Sequence, residues 1–331
     1  MKSRSLLVWA LALAPIPVFF WALQVGAFPV SLGDLGWVLF GGSQATGTQL
    51  QAIVWQVRLP RLVLAFFIGL ALSLAGATLQ AVFRNPLVDA YILGISAGAA
   101  FGCALSVAFF PSLPIQVGAF LFSLMAAFLT FSLARTQGEM PTLSLILAGV
   151  VVSAFFTAMV SLIKFLVDPH KLASIVFWLM GSLSLANWQA VAKAAPWILL
   201  GAVPLWLGRW RLNALSLGET EAQSLGMEVG RERGLFLLAA ALAVAGAVSV
   251  TGIIGWVGLM IPHIVRMLVG PDHRRVIPLS MTLGAAFLMF SDTLARASVA
   301  GEIPVGIITT VCGAPFFVYL LKRGGQESWK L

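Results

Sequence analysis

The chain has 331 residues, of which 60% are hydrophobic and only 10% are charged, and its formal net charge is +8 at pH 7. Because roughly a quarter of the residues in soluble domains are charged, this composition excludes an ordinary soluble protein and predicts a polytopic membrane protein. The basic excess does not point to nucleic acid, since Lys and Arg in a membrane protein usually record its orientation.

Apolar runs predict the membrane-spanning helices in chain order. A helix rises about 1.5 Å per residue and the hydrocarbon core is about 30 Å thick, so a run of about 20 apolar residues can cross it. The runs cover residues 6–28, 62–83, 92–110, 113–133, 143–166, 190–207, 235–250, 276–294 and 303–321. Residues 1–20 are similar to a signal peptide but lack a clear small-x-small cleavage site, so we expect a retained first span.

A further crossing is predicted between two of these runs. Arg233 and Arg266 are separated by 32 residues, too few for two full spans and a turn. A single span would place Arg266 and the basic residues after it on the outer side, against the positive-inside rule. Residues 251–263 contain three glycines and a proline, which break helices. We therefore predict about ten crossings, the eighth short or irregular over 252–266, with both termini cytoplasmic.

The basic residues fit this orientation. Fourteen of the twenty lysines and arginines fall on the cytoplasmic side, and the other six are Arg58, Arg61, Lys164, Lys171, Lys193 and Arg296. The sizeable outer segments are 29–57 and 168–188. Within the second, the apolar stretch 172–180 is too short to span, so it lies along the interface or plugs the bundle. Glycines at 94, 98 and 102 form one helix face for close packing, within the chain or between two copies.

Several chemistries are missing from the chain. None of its lysines follows a glycine, so a phosphate-binding loop of the form GxxxxGK[ST] is absent and any ATP must be used by another subunit. The three histidines have no partners at metal-ligand spacing, and no catalytic triad is recognisable. The apolar runs contain only three charged residues, Asp292, Lys164 and Lys193, which disfavours a proton relay. Cys103 and Cys312 lie in apolar runs, so we expect them to be packing residues. The sequence predicts neither an enzyme nor a metal site.

One polar segment interrupts this apolar pattern. Residues 209–233 hold eight of the 32 charged residues. They predict two short helices, with Gly218 as a break and Gly226 as a C-terminal stop. Four apolar residues alternate with polar ones here, namely Leu215, Leu217, Ala222 and Leu225. This pattern predicts either a surface that fills a groove on a partner or a solvated loop.

Several motifs in order resemble the FecCD-type importers, the ATP-binding-cassette (ABC) permeases for iron siderophores, haem and vitamin B12. They are RLPR at 58–61, QAVFRNPL at 80–87, LGISAG at 93–98, the LxxLxLGExxAxxLG pattern at 212–226, GIIGWVGLMIPHIVR at 252–266, EIPVG at 302–306 and GAPFF at 313–317. The resemblance covers about residues 55–321. It implies an all-α integral membrane protein of type II ABC importer permease architecture, with residues 1–331 as a single polytopic transmembrane domain.

The resemblance also implies partners and a mechanism. A homodimer in the bacterial inner membrane would bind two copies of a cytoplasmic ABC ATPase and a periplasmic substrate-binding protein, and would import a metal chelate by alternating access. The chain itself would bind no cofactor, because ATP and Mg²⁺ are used by the ATPase. The alternative is an ATP-independent secondary transporter or channel for a small solute.

Site residues follow from the same resemblance, position by position. The cytoplasmic coupling segment 209–233 would contact the ATPase through Leu215, Leu217, Gly218, Glu219, Ala222, Leu225 and Gly226. The binding protein would dock through salt bridges to Arg58, Arg61 and Arg296, which suit carboxylate capture. A cytoplasmic gate would be formed by Asn85, Leu87 and Thr142. The chain departs from the vitamin B12 permease pattern by carrying Arg84 and Leu143 beside the gate.

Overall fold

A computed structural model of the protein describes residues 2–26, 28–40, 48–135, 141–298 and 301–323. Over these ranges the structure is helical and contains no strand. This agrees with the all-α class predicted from the apolar runs, because helices satisfy their own backbone hydrogen bonds in lipid.

The α-helices are numbered in chain order. They are α1 Lys2–Leu13, α2 Pro15–Gln24, α3 Leu32–Phe40, α4 Thr48–Ala52, α5 Leu59–Phe83, α6 Ile95–Phe109, α7 Ile115–Ala134, α8 Thr142–Leu166, α9 Pro169–Leu179, α10 Trp188–Leu207, α11 Arg209–Leu217, α12 Glu219–Ser224, α13 Val229–Thr251, α14 Val257–Val269, α15 His273–Ser298 and α16 Val305–Arg323. A π-helix, Ile53–Arg58, leads into α5, and a 3₁₀ helix, Ala90–Leu93, precedes α6.

Helix α5 lies at the centre of the bundle and packs against α10, α13, α14 and α15. Glycines allow the closest approaches. A Cβ atom added to Gly76 would lie 2.0 Å from the Gly258 carbonyl oxygen, and one added to Gly69 would lie 2.3 Å from the Gly284 oxygen. Small residues at such crossings let helix backbones approach in a membrane, where no hydrophobic effect drives helices together.

The helices that could cross a membrane are identified by their length and composition. Among the described residues, seven helical stretches are long and apolar enough to cross a membrane, and three further apolar helices are shorter. The shorter ones are Ile95–Phe109, Val257–Val269 and Val305–Leu320. The multi-pass class is therefore clear, and the predicted count of about ten crossings stays a prediction.

The predicted irregular eighth crossing contains a break between two helices. Helix α13 ends at Thr251, the chain is non-helical over 252–256, and α14 then has only 13 residues. The end of α9 packs on this break, since Ser182 N donates to Thr251 O at 2.8 Å and a Cβ on Gly252 would lie 2.0 Å from Trp178 O. The apolar outer segment that contains α9 therefore packs into the bundle beside the broken span.

Two other local predictions, for the first span and for the glycine face of α6, can be compared with the structure. The predicted first span is one of the seven helical stretches and covers Ser5–Gln24, with a turn at Ala14 where Pro15 lacks the backbone donor that continues a helix. The glycine face of α6 packs within the chain. Cβ atoms on Gly98 and Gly102 would lie 2.3 and 2.2 Å from carbonyl oxygens of α7, so the intrachain packing interpretation is confirmed.

Candidate functional site

The polar segment 209–233 forms two short helices, α11 and α12, as its sequence predicts. Gly218 separates them with φ +144°, and a Cβ there would lie 2.2 Å from Glu221 Oε2. Gly226 follows α12 with φ +79°, its N donates to Gln223 O at 2.8 Å, and Met227 N donates to Ala222 O at 3.1 Å. This is a Schellman-type stop, which glycine favours because it has no Cβ in the left-handed region.

Charged pairs attach this segment to the membrane helices. Arg233 Nη2, at the start of α13, lies 2.7 Å from Glu219 Oε1, the first residue of α12. The Arg233 side chain is only 9% exposed, while that of Glu219 is 56% exposed. Arg211 of α11 and Glu232 of α13 form a second pair at 2.6 Å. Movement of α11 and α12 is therefore tied to the first turn of α13.

A third attachment joins α11 to the start of α15. Asn213 Nδ2 donates to Asp272 Oδ1 at 2.8 Å, and Asn213 Oδ1 accepts from His273 N at 2.8 Å. Partial burial by itself would raise the pKa of Asp272, but hydrogen bonds from Asn213 and Arg274 N, with the charges of Arg274 and Arg275, hold that pKa below its ordinary value. Asp272 therefore stays ionised where it anchors α11.

The four apolar residues of the segment divide into two pairs. Leu217 and Leu225 are each 65% exposed, whereas Leu215 and Ala222 are buried inside the chain. Leu215 and Ala222 are therefore not part of an exposed apolar surface, and contact of the segment with a partner stays a prediction. Their side chains pack beneath α11 and α12 and hold these helices on the bundle. What remains as an exposed apolar surface is Leu217 and Leu225, with Glu219 between them in sequence.

A second polar cluster lies at the opposite end of α5. Arg61 Nη2 lies 2.9 Å from Asp292 Oδ1 of α15, and Arg61 Nη1 lies 3.0 Å from Glu302 Oε2 before α16. The Asp292 side chain is fully buried, while that of Glu302 is 42% exposed. One guanidinium fork thus bridges two carboxylates from distant parts of the chain. The sequence does not show what Asp292 contacts. In the structure its side chain is buried and pairs with Arg61.

The other two predicted docking arginines also bind within the chain. Arg58 is buried and donates to the carbonyl oxygens of Leu23, Gln24 and Phe28. Arg296 is half-buried and donates to the Ala22 carbonyl oxygen. The predicted docking set is therefore brought together at one end of the bundle, around the end of α2, but its side chains are directed inward.

The predicted gate residues lie in a tight turn and at a helix start. Asn85 Oδ1 accepts from Leu87 N at 2.9 Å, and Asn85 N donates to Gln80 O at 3.1 Å. Leu87 is exposed, and Thr142 is half-buried as the first residue of α8. Among the described residues, no hydrogen bond joins this turn to Thr142. Asn85 therefore acts structurally as the organiser of the turn after α5, and a gating role stays a prediction.

Two adjoining cavities were not predicted from the sequence. The acidic cavity, about 610 Å³, is lined by Asp89, Tyr91, Trp256, Ile307 and Thr310 among others. The hydroxyl cavity, about 390 Å³, is lined by Ser153, Thr157, Ser161 and Lys164. Both are also lined by Tyr91, Leu179 and Ile253, so they adjoin. The helical spacing of the hydroxyl residues along α8 was the signal that could have revealed them.

These features define the class of protein. A multi-pass helical bundle carries a charged, helix-forming segment at one end, an arginine cluster at the other and polar cavities among its spans. Ionisable and hydroxyl groups in such a bundle mark the path of a solute, and no site for covalent chemistry accompanies them in the residues described. The chain is a membrane transport subunit of the permease class.

Comparison with known proteins specifies the family. The FecCD transport family model matches residues 12–323. A Helicobacter pylori protein named as an iron chelatin transport system permease is 43% identical over 83% of this chain and 84% of its own length. The molybdate import system permease MolB of Haemophilus influenzae is 40% identical over 92% of this chain and 93% of its own length. The chain belongs to the FecCD transport family.

A solved structure supports the same assignment. It is described as an inward-facing metal-chelate type ABC transporter, and it superposes with a TM-score of 0.87 at 36% identity, covering 96% of this chain and 99% of that one. The resemblance stated from the motifs is therefore confirmed. The names of similar permeases include iron chelatin, molybdate, cobalamin and hemin, so family membership alone does not select a substrate.

Proposed function

We propose that this chain is the membrane permease of an ABC importer that moves a metal chelate from periplasm to cytoplasm by alternating access. Ferric siderophores and haem are the favoured cargo, followed by cobalamin. The chain performs no chemistry and binds no cofactor; ATP and Mg²⁺ are used by a separate ATPase. The observation that carries this proposal is the exposed segment α11 to α12, attached to the two membrane helices α13 and α15.

The segment has the properties of a coupling element. Its exposed leucines, Leu217 and Leu225, flank α12 and provide apolar contact area for a partner. Its charged and amide contacts reach the starts of α13 and α15, so force applied to α12 would be transmitted to spanning helices. Because the chain has no phosphate-binding loop, such force must come from outside it.

The assembly we propose is a homodimer with two ATPase subunits and one periplasmic binding protein. Helix α16 supports the dimer, since Ile307, Val311 and Val318 expose 41%, 64% and 51% of their surface. An apolar helix face of this kind suits contact with lipid or with a second copy. The positive-inside count supports the inner membrane with both termini cytoplasmic.

Docking of the binding protein would use the outer arginine cluster by exchange of partners. Glu302 is the partly exposed carboxylate of the Arg61 bridge, and Asp292 is the buried one. A carboxylate from a binding protein could replace Glu302 on Arg61 Nη1 while Asp292 keeps the guanidinium in place. At the other end, Asn85, Leu87 and Thr142 are proposed to close the cytoplasmic exit.

The test of the proposal separates surface from core in the coupling segment. The chain, with Leu217→Asp or the buried Leu215→Ala, is reconstituted in liposomes with its cognate ATPase subunit and binding protein. We expect Leu217→Asp to abolish stimulation of ATP hydrolysis while the thermal stability of the permease is unchanged. Leu215→Ala should lower stability by about 2 to 3 kcal/mol, because a large buried side chain is removed. Normal stimulation with Leu217→Asp would refute the coupling role.

The ATP-independent alternative is decided by a different measurement. If the chain alone in liposomes moves a ferric chelate down a gradient, and added ATPase and ATP change nothing, the importer proposal fails. If uptake of the chelate requires both the ATPase subunit and ATP, the ATP-independent alternative fails.

A further inference from the structure

A buried arginine lies near the end of α14 without a carboxylate partner. Arg266 is 9% exposed, and among the described residues no aspartate or glutamate forms an ion pair with it. It lies in the last turn of α14, where the helix dipole favours a positive charge. Burying a charge is nevertheless costly, and an apolar side chain of similar size often packs as well or better. Packing alone therefore does not explain the guanidinium.

The first partner of Arg266 is Gln80, which is fully buried in the last turn of α5. Arg266 Nη2 donates to Gln80 Oε1. The other end of the amide fixes this orientation, because Gln80 Nε2 donates to the carbonyl oxygens of Gly258 at 3.1 Å and Leu259 at 3.4 Å. The backbone oxygen of Gln80 accepts from Asn85 N at 3.1 Å. Through Gln80, Arg266 is thus connected to the turn after α5.

On its other side, Arg266 faces the start of α15. A short turn with Gly270 at φ +88° joins α14 to α15, and the two helices pack together as a hairpin. His273 is the first residue of α15 and is 3% exposed, and the charge of Arg266 acts on its ring. Arg266 Nη1 and His273 Nε2 are both buried, and neither has a hydrogen-bond partner among the described residues. Whether these two nitrogens suit each other depends on where the ring carries its proton.

The contacts of Asn213 decide the tautomer of His273. Asn213 Nδ2 donates to Asp272 Oδ1 at 2.8 Å, so the amide atom that faces His273 is the oxygen. That oxygen accepts from His273 N at 2.8 Å and lies 2.9 Å from His273 Nδ1. Two acceptors do not bond each other, so Nδ1 carries the hydrogen. In the neutral ring Nε2 is then an acceptor, which matches the unused donor at Arg266 Nη1.

We propose that Arg266 and His273 complete a buried polar relay from the coupling segment to the turn that contains Asn85, with Arg266 as its central positioning residue. Arg266 donates in both directions, to Gln80 Oε1 and, directly or through one buried water, to His273 Nε2. This inference rests on the proposed function, because it names the residues through which α11 acts on the proposed cytoplasmic exit.

The polar character of the relay suits a contact that breaks and re-forms. Gly76 and Gly258 hold α5 and α14 in close contact one turn further from the helix ends, where a Cβ on Gly76 would lie 2.0 Å from the Gly258 oxygen. Apolar side chains at the ends themselves would favour the closed arrangement alone. Arg266 and Gln80 have two satisfied arrangements, one in which they bond each other and one in which they bond water, which is the property of an element with two states.

The first arm of the test reads the tautomer in the permease alone. The chain has three histidines, so the ring nitrogen signals of isotope-labelled protein in nanodiscs are assigned by NMR with the help of His273→Gln. At about pH 7.5, above the ordinary pKa of histidine, we expect the His273 proton on Nδ1. A proton on Nε2 would overturn the proposal, because that nitrogen could not then accept from Arg266.

The second arm measures coupling along the relay by thermal unfolding in detergent. Arg266→Leu and Asn213→Ala are made singly and together. Although the two side chains form no direct hydrogen bond, the double variant should lose less Tm than the sum of the single losses, since both changes break one network. The control pair is Arg266→Leu with Thr78→Val, because the buried Thr78 hydroxyl donates within its own helix to Leu74 O at 2.9 Å. Those losses should add. Additive losses for Arg266 and Asn213 would refute the relay.

The third arm asks whether the relay acts in transport. Variants are reconstituted with the cognate ATPase and binding protein, and uptake and ATP hydrolysis are measured together. Arg266→Leu and His273→Phe should each lower uptake per ATP at least about fivefold, while hydrolysis stays near the wild-type rate. Arg266→Lys, which keeps a cationic donor, should recover part of the loss, and Thr78→Val should leave the ratio unchanged. An unchanged ratio in both relay variants, or equal losses of uptake and hydrolysis, would refute the positioning role.

The three arms separate this inference from the proposed function. If uptake by the wild-type chain does not depend on ATP, the importer proposal fails, and the tautomer and the unfolding cycle still decide whether the relay exists. If wild-type uptake depends on ATP but the relay variants keep their uptake per ATP, the relay alone fails.

Discussion

The guanidinium of Arg61 lies 2.9 Å from the carboxylate of Asp292, although the two residues are 231 positions apart. Both side chains are buried at the end of the bundle where α5 meets α15. The pair therefore ties the first half of the chain to the second. Its geometry also decides how much of the arginine cluster is left for any partner, because Glu302 occupies the remaining nitrogen.

Removal of one member of this pair should destabilise the protein strongly. We expect Arg61→Leu or Asp292→Leu alone to cost about 3 to 5 kcal/mol, because each leaves a buried charge unpaired, and the double variant to recover most of that loss. Thermal unfolding in detergent measures this. Asp168→Asn, which breaks the exposed Lys171 pair at 4.0 Å, is the control and should change stability little. Additive losses in the double variant would show that the pair is not coupled.

Glu302→Gln tests the exchange of partners proposed for docking. The change releases Arg61 Nη1 but leaves Asp292 in place, so the affinity for the binding protein should rise a few-fold and become more sensitive to salt. Glu228→Gln, in the segment before α13, is the control. Binding is measured by titration of the cognate binding protein onto permease in nanodiscs. An affinity that stays the same at low salt would argue against Arg61 as a docking residue.

The pair between Arg233 and Glu219 should be required for coupling. Glu219→Arg places two cations together at the start of α12 and should reduce ATP-driven uptake by about tenfold or more. Glu219→Arg with Arg233→Glu restores opposite charges at 2.7 Å and should recover a large part of the uptake. Uptake and ATP hydrolysis are measured in parallel in proteoliposomes. A double variant no better than the single one would assign the loss to Glu219 itself.

Gly218 should tolerate no side chain. Alanine there meets a φ of +144°, which residues other than glycine rarely adopt, whereas its contact at 2.2 Å is with Glu221 Oε2, the end of a flexible side chain that can move aside. We expect a loss of about 1 to 3 kcal/mol in stability of the segment, seen as faster hydrogen exchange of α12 amides. Addition of Glu221→Ala should remove the steric part and leave the backbone part. Wild-type exchange in Gly218→Ala would contradict the strained geometry.

Two glycines should respond to alanine in opposite directions. Gly76→Ala places a Cβ 2.0 Å from the Gly258 oxygen and should destabilise the bundle by at least about 2 kcal/mol. Gly230 lies in helix α13 with open space around a Cβ, so Gly230→Ala should stabilise it by about 0.5 to 1 kcal/mol. Thermal unfolding of the two variants side by side measures the difference. Equal shifts would mean that α5 and α14 separate easily.

Much of the fold was predictable because it depends on local properties of the chain. The break at Gly218, the stop at Gly226 and the irregular stretch after Thr251 all follow from glycine in a short window of sequence. The missing phosphate-binding loop is likewise a property of the sequence alone. The family was recognisable because its motifs are short and occur in order.

Which side chains form each site was less predictable, because this depends on contacts between residues far apart in the sequence. Leu215 and Leu217 look alike in sequence, and only the packing of α11 on the bundle buries one and exposes the other. Asp89 was not singled out, because its place in a cavity depends on glycines about 170 residues further along the chain.

The sequence by itself therefore determined the membrane class, the helical pattern, the family and the absence of a phosphate-binding loop, since apolar length and short motifs are local. The tertiary structure alone decided that Arg61 faces Asp292 and Glu302, that α8 has a hydroxyl face and that two cavities meet at Tyr91. The physical reason is that burial and side-chain direction are set by which helices pack together, and that packing joins residues far apart in the chain.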